Sequence, residues 1–175
     1  MTREPGRASW LLPDAVLAAV VVLLLVAAGV LLGRGDAAAT GEQGRTETLS
    51  RRYDEVTRAA RAEATAFLSV DHRDPGASSR RVLDGATGMF ARQYRGNLPD
   101  LESSTRERQA VAEGEVRSVG VVRLTDSRAE VLVAADSQVT NSMTRGQAQP
   151  RYYRLALVLV RQRDRWLTSS LRFVG

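Results

Sequence analysis

RYYRLALVLVRQRDRWLTSSLRFV, residues 151–174, is the stretch whose reading decides the fold. Between Arg151 and Arg161 the side chains alternate. Tyr153, Leu155, Leu157 and Leu159 share one face, while Arg154, Ala156, Val158 and Val160 share the other. A strand that is apolar on both faces belongs inside a sheet rather than at its edge. Gln162-Arg163-Asp164 has hairpin length, and a second strand follows over Arg165–Val174. Upstream, Ala110–Leu124 and Ala129–Thr140 are rich in valine and joined through Asp126-Ser127-Arg128. A polar loop, Asn141–Pro150, leads into the third strand. Four consecutive strands with short connections predict an antiparallel meander. Gly114 and Gly120 are the places where the long first strand can bend.

The pattern before residue 110 has a helical period. Leu49, Tyr53, Val56, Ala60, Ala64 and Phe67 recur every three or four residues, which predicts a helix over Arg45–Val70 with Arg and Glu on its other face. Asp71–Gly76 ends it, since Pro75 cannot continue a helix and Gly76 permits a turn. Ser78 or Ser79 can cap a short helix running to Asp84. Gly85–Gly88 breaks the chain, and Met89–Ser104 reads as helical with an interruption at Gly96–Pro99. Helices followed by strands make an α+β domain. The economical arrangement is a curved four-stranded antiparallel sheet wrapped around the long helix, the shape of the NTF2-like or cystatin-like cone.

The N-terminus carries AVLAAVVVLLLVAAGVLL, residues 15–32, without a charge. At about 1.5 Å per residue, 10–32 exceeds the roughly 30 Å of a bilayer core, so a transmembrane helix is expected there. Arg3 and Arg7 place residues 1–9 in the cytoplasm and the remainder outside the cell membrane. Ala37-Ala38-Ala39 resembles a signal-peptidase site, but the apolar run is longer than a secretory h-region. The expected organisation is therefore a cytoplasmic tail (1–9), a transmembrane helix (10–32), a Gly- and Ala-rich linker (33–44) and one domain (45–175).

The 175-residue chain has 25 basic residues, every one arginine, against 20 acidic, for a net charge of +5. A GC-rich genome explains arginine without lysine. The charges are too mixed along the sequence for a nucleic-acid tract, so no nucleic-acid partner is expected, whereas anionic lipid head groups suit the balance. With no cysteine there is no disulfide, thiolate metal site or cysteine nucleophile.

Few residues suggest chemistry. His72, the sole histidine, stands beside Asp71 and Asp74 at a helix end. Asp71 orienting His72 would make a proton-transfer site, an isomerase or dehydratase reading, while a solvated helix terminus is the plainer account. One histidine with scattered carboxylates lacks metal-ligand spacing, and no Walker loop, Rossmann fingerprint or nucleophile elbow is present, so neither a cofactor nor a metal is expected. Met89, Phe90, Tyr94 and Trp166 are expected in the core. Arg151, Arg154, Arg161, Arg163 and Arg165 crowd the last hairpin as a candidate basic face for phosphates or an acidic partner, although alternation sends several to opposite faces. Leu49, Tyr53 and Val56, on the membrane-proximal half of the stripe, are the candidate partner surface.

These pieces together resemble the Mce-associated membrane proteins of actinobacteria. The matching residues are the apolar anchor, Phe67–Arg73, Val82–Phe90 with Tyr94 after it, Gln138–Asn141, Arg154–Arg161 and Asp164–Leu167. The resemblance implies an extracytoplasmic NTF2-like domain and a non-catalytic accessory subunit of an Mce-type lipid importer. Its partners would be Mce-family proteins or their permease, together with membrane lipids. It supplies no catalytic residues. Two alternatives remain beside it: a lipid-binding carrier using an apolar cone, and the enzyme reading on His72 and Asp71.

Overall fold

The computed structural model describes residues 44–174. The expected cytoplasmic tail, transmembrane helix and nearly all of the linker lie outside these residues, and no described helix is long and apolar enough to cross a membrane. The chain divides into two compact units after Leu49, and the strands and every helix after the first belong to the second, residues 50–175.

Helix α1 occupies 44–68, so the expected linker ends before Gly44. Strand β1 (Val70–Asp71) follows, then α2 (Pro75–Gly85), α3 (Gly88–Gly96) and α4 (Leu98–Glu107). Four long strands complete the chain: β2 (Val111–Leu124), β3 (Arg128–Thr140), β4 (Gln149–Gln162) and β5 (Arg165–Phe173). A 3-10 turn, Ser142–Thr144, precedes β4. The sheet has the order β1-β2-β3-β4-β5 and every pairing is antiparallel. The domain is α+β, as the change of period predicts. The sheet has five strands rather than four, because Val70 and Asp71 leave the helix and pair with Ala112 and Val111. Two side chains are too few to give a periodic signal, which is why helix was expected through Val70.

One stripe of α1 fills the inner face of the sheet. Val56, Ala60 and Ala64 are wholly buried against Val131, Val133, Leu155, Leu157 and Leu159. Trp166 closes this core as expected. A second apolar cluster of Val82, Ala86, Phe90 and Ala91 covers the flank, and Phe67 and Leu171 pack against both clusters. Met89, expected in the core, is exposed, since α3 buries the face that carries Phe90 and Ala91 instead.

Two further local expectations change. Asp74, not Ser78 or Ser79, caps α2 by accepting a hydrogen bond from the Ala77 amide at 2.8 Å. Pro75 therefore starts this helix, in the position where its missing N–H costs nothing, and both serines are buried inside it. The strand irregularities in β2 fall between Val116 and Ser118 and between Val121 and Arg123, not at the glycines.

Gly114 has a different task. Its amide donates to Ser69 Oγ at 3.0 Å, and a Cβ there would lie 2.6 Å from Leu68 Cβ. Beside it Ser137 Oγ donates to the Leu68 carbonyl at 3.3 Å. The end of α1 is thus seated directly on β2 and β3. Gly114→Ala is expected to lower stability by about 2 kcal/mol through this overlap. Gly120→Ala, where a Cβ meets nothing within 4 Å, is expected to be neutral to within about 1 kcal/mol. Equal denaturant midpoints for the two variants would disprove the close approach.

Candidate functional site

The end of α2 and its junction with α3, residues 84–87, are tied to the last hairpin. The Thr87 amide donates to the Thr168 carbonyl at 2.8 Å, Gln162 Nε2 donates to Thr87 Oγ1 at 3.0 Å, and Arg165 donates to both the carbonyl and the carboxylate of Asp84 at 3.0 Å. These bonds hold the helical layer beside the sheet edge. A cleft of about 540 Å³ opens between that layer, α1 and β5.

One wall of the cleft is aromatic. Phe67 lies 6.0 Å from Phe90, 6.5 Å from Tyr94 and 6.1 Å from Phe173, centroid to centroid, with the rings tilted. Such tilted contacts suit the ring quadrupoles. Leu171 continues this wall, and α4 supplies the opposite side with Asp100, Leu101, Glu102, Ser104 and Thr105.

Behind the wall sits Glu63, which is 3 % exposed and has no hydrogen-bond partner on either carboxylate oxygen among the described residues. It lies so close to Gly85 that a side chain there would collide with it. Burial, and then the neighbouring Asp84 charge, push its pKa up to about 8. Glu63 is therefore protonated at neutral pH. Tyr94, bonded to Ser79, is also raised, chiefly by burial. The sequence reading placed the glutamates of α1 on a solvated face and so missed Glu63. The signal was present: its neighbours three and four positions away are Ala59, Ala60, Ala66 and Phe67.

The residues expected to matter are distributed as follows. Val56 is wholly buried, because it faces the sheet, and so is core rather than partner surface. Leu49 and Tyr53 are 56 % and 44 % exposed. Asp71 is clamped by Arg73, whose guanidinium bonds both carboxylate oxygens at 2.6–3.0 Å and pulls the pKa down to about 2. His72 donates its backbone amide to the Ala110 carbonyl at 2.9 Å. Neither Asp71 nor His72 lines the cleft. Such a carboxylate, permanently ionised and spent on an arginine, is a poor orienter for a histidine base. Among the described residues no cluster of three or more metal-ligating side chains occurs.

The five arginines of the last hairpin do not converge. Arg151 and Arg161 lie on the Leu155–Leu159 side of β4, at opposite ends of the strand, and Arg154 lies on the other side. Arg161 stands 3.9 Å from Asp164 and Arg165 is bonded to Asp84. Arg163 forms the turn with φ of 54°.

Glu63 makes stability depend on pH. Its proton is held more tightly folded than unfolded, so its contribution is full below about pH 4.5 and is lost as pH rises toward about 8. The loss across that window is on the order of 5 kcal/mol. The melting temperature of the full chain in detergent is expected to fall from pH 5 to pH 8 (roughly the window set by linkage), and Glu63→Gln is expected to flatten that fall. Parallel profiles for the two proteins would mean that Glu63 does not titrate there.

Comparison with known proteins agrees with this architecture. A family model described as "Uncharacterized protein Rv1363c/MT1408-like" matches residues 14–175. The protein described as "Uncharacterized protein Rv1363c" from Mycobacterium tuberculosis (strain ATCC 25618 / H37Rv) is 30% identical over 108 residues, which cover 62% of this chain and 41% of that protein. The chain thus matches about two fifths of that relative's length. An IcmL-like type IV secretion system protein from Legionella pneumophila superposes with a TM-score of 0.56 at 10% identity, covering 69% of this chain and 91% of that one. The periplasmic domain of DotI gives 0.56 at 11% identity, covering 68% and 92%. At such identities the likeness is one of fold alone, an α+β domain with helices packed on an antiparallel sheet. Because the family model runs from just ahead of the apolar N-terminal stretch to the last residue, this chain belongs to the Rv1363c/MT1408-like family.

Proposed function

We propose that this chain is a membrane-anchored, non-catalytic accessory subunit of an Mce-type lipid importer, with its NTF2-like domain outside the cell membrane. The observation that carries the reading is the contrast along α1. Val56, Ala60 and Ala64 are wholly buried, yet Leu49 and Tyr53, on the same periodic stripe, are exposed. Apolar side chains kept periodic beyond the end of a core are available to a partner helix. The uncharged run 15–32 stands just upstream and would hold that segment at the membrane surface. Solved structures of similar fold include a type IV secretion system protein and a periplasmic domain, which supports an assembly role in the envelope. The clamp on Asp71 weighs against the enzyme alternative.

The test is co-purification from native membranes in gentle detergent, using a C-terminal tag and mass spectrometry. Recovery of Mce-family proteins or their permease is expected. Leu49→Asp combined with Tyr53→Asp should reduce that recovery at least tenfold, a coupling of about 1.4 kcal/mol or more, while the far-UV circular dichroism stays unchanged. Undiminished recovery would remove this stripe as the partner surface, and absence of any Mce component from the unaltered protein would end the accessory-subunit reading.

A further inference from the structure

The cleft beside α4 has a chemical bias of its own, independent of the accessory-subunit reading. The chain carries 25 arginines, yet among the described residues none lines the cleft. The ionisable side chains that face it from α4 are the carboxylates of Asp100 and Glu102. Glu102 shares its charge with Arg106 at 3.3 Å, the Arg80 guanidinium borders the same space over Gly76 as Glu102, and Arg81 donates to Ser78 Oγ at 3.0 Å, but none of these guanidinium groups is among the lining groups. The hydroxyls on this side are also committed as donors. Thr105 Oγ1 donates to the Leu101 carbonyl at 2.7 Å and Ser104 Oγ donates to the same oxygen at 3.3 Å. What these hydroxyls have left is lone pairs. The rim on α4 is therefore rich in acceptors and negative, and it faces the wall of Phe67, Phe90, Tyr94, Leu171 and Phe173 about an opening of roughly 540 Å³. That volume is in the range of small-molecule sites, and an apolar wall with a few convergent polar groups is their usual composition.

We propose that this cleft binds an amphiphile whose apolar body lies on the aromatic wall and whose head donates hydrogen bonds, an alcohol or an amine, and that it rejects carboxylate and phosphate heads. An alcohol O–H donates a hydrogen bond to the Asp100 or Glu102 carboxylate or to the free lone pairs of Ser104 and Thr105. An ammonium does the same and gains Coulomb attraction. A carboxylate of equal chain length would bring a third negative charge beside Asp100 and Glu102 with no guanidinium among the lining groups to meet it, and a phosphate would bring more. Glu63 behind the wall adds no charge while it holds its proton.

The experiment uses the full chain in lipid nanodiscs, photolysed with diazirine analogues of dodecanol, dodecylamine and dodecanoic acid at equal concentration. Labelled peptides are then mapped by mass spectrometry. The alcohol and the amine are expected to label the α3 and α4 peptides at least about fivefold more than the acid does, a difference of roughly 1 kcal/mol. Leu101→Trp should fill the opening and abolish that labelling. The paired variant Asp100→Asn with Glu102→Gln changes surface polar positions and tests the bias without filling the site; it should raise acid labelling to the level of the alcohol. Acid labelling equal to that of the alcohol in the unaltered protein, labelling confined to peptides outside the cleft, or no response to the paired variant would each overturn the proposal.

Discussion

The contact on which the rest of the domain depends is that of α1 with the inner face of the sheet. Ala60 and Ala64 present almost no bulk and Val56 little, so the helix can lie close against Val131, Val133, Leu155 and Leu157. Burial of an apolar stripe, more than intrinsic propensity, is the main source of helical stability in proteins. The approach is closest where the helix ends. There Gly114 leaves room for Leu68, and Ser69 and Ser137 each place a hydroxyl on the neighbouring backbone. The chain leaves that point already beside β2, which is why Val70 and Asp71 can add a short edge strand.

A second layer follows from the first. Phe67 lies at the margin of the sheet core and packs on both apolar clusters, as does Leu171. The α2–α3 junction is held to β5 through Thr87 and Asp84, so the helical layer is fixed at one edge while α4 stands away from the sheet. The cleft is the space this arrangement leaves. The same layer covers the flank of α1 that carries Glu63, and a carboxyl group without a partner must then stay neutral. Burial of Glu63 and opening of the cleft are two results of one packing decision.

Much of this was legible in the chain. Alternation over 151–160 and its neighbours located all four long strands to within a few residues, because side chains on a half-buried sheet must alternate. The 49–67 stripe located the helix for the corresponding reason. Short elements and helix starts were less legible. Pro75 is a breaker in the interior of a helix and a favoured residue in its first turn, and only the hydrogen bond from the Ala77 amide to Asp74 tells the two cases apart. Met89 and Phe90 are adjacent and both apolar, yet one is exposed and the other buried, since a helix face is assigned by what packs on it.

The sequence by itself determined the α+β class, the order of the long elements and the uncharged N-terminal run, because these rest on local period and composition. Only the tertiary structure decided that Val56 is core while Tyr53 is open, that Asp71 belongs to Arg73, that the hairpin arginines diverge, and that Glu63 and an arginine-free cleft stand side by side. Each of those depends on which surfaces distant segments bring into contact, and a linear pattern carries the facing of each segment but not the identity of what it faces.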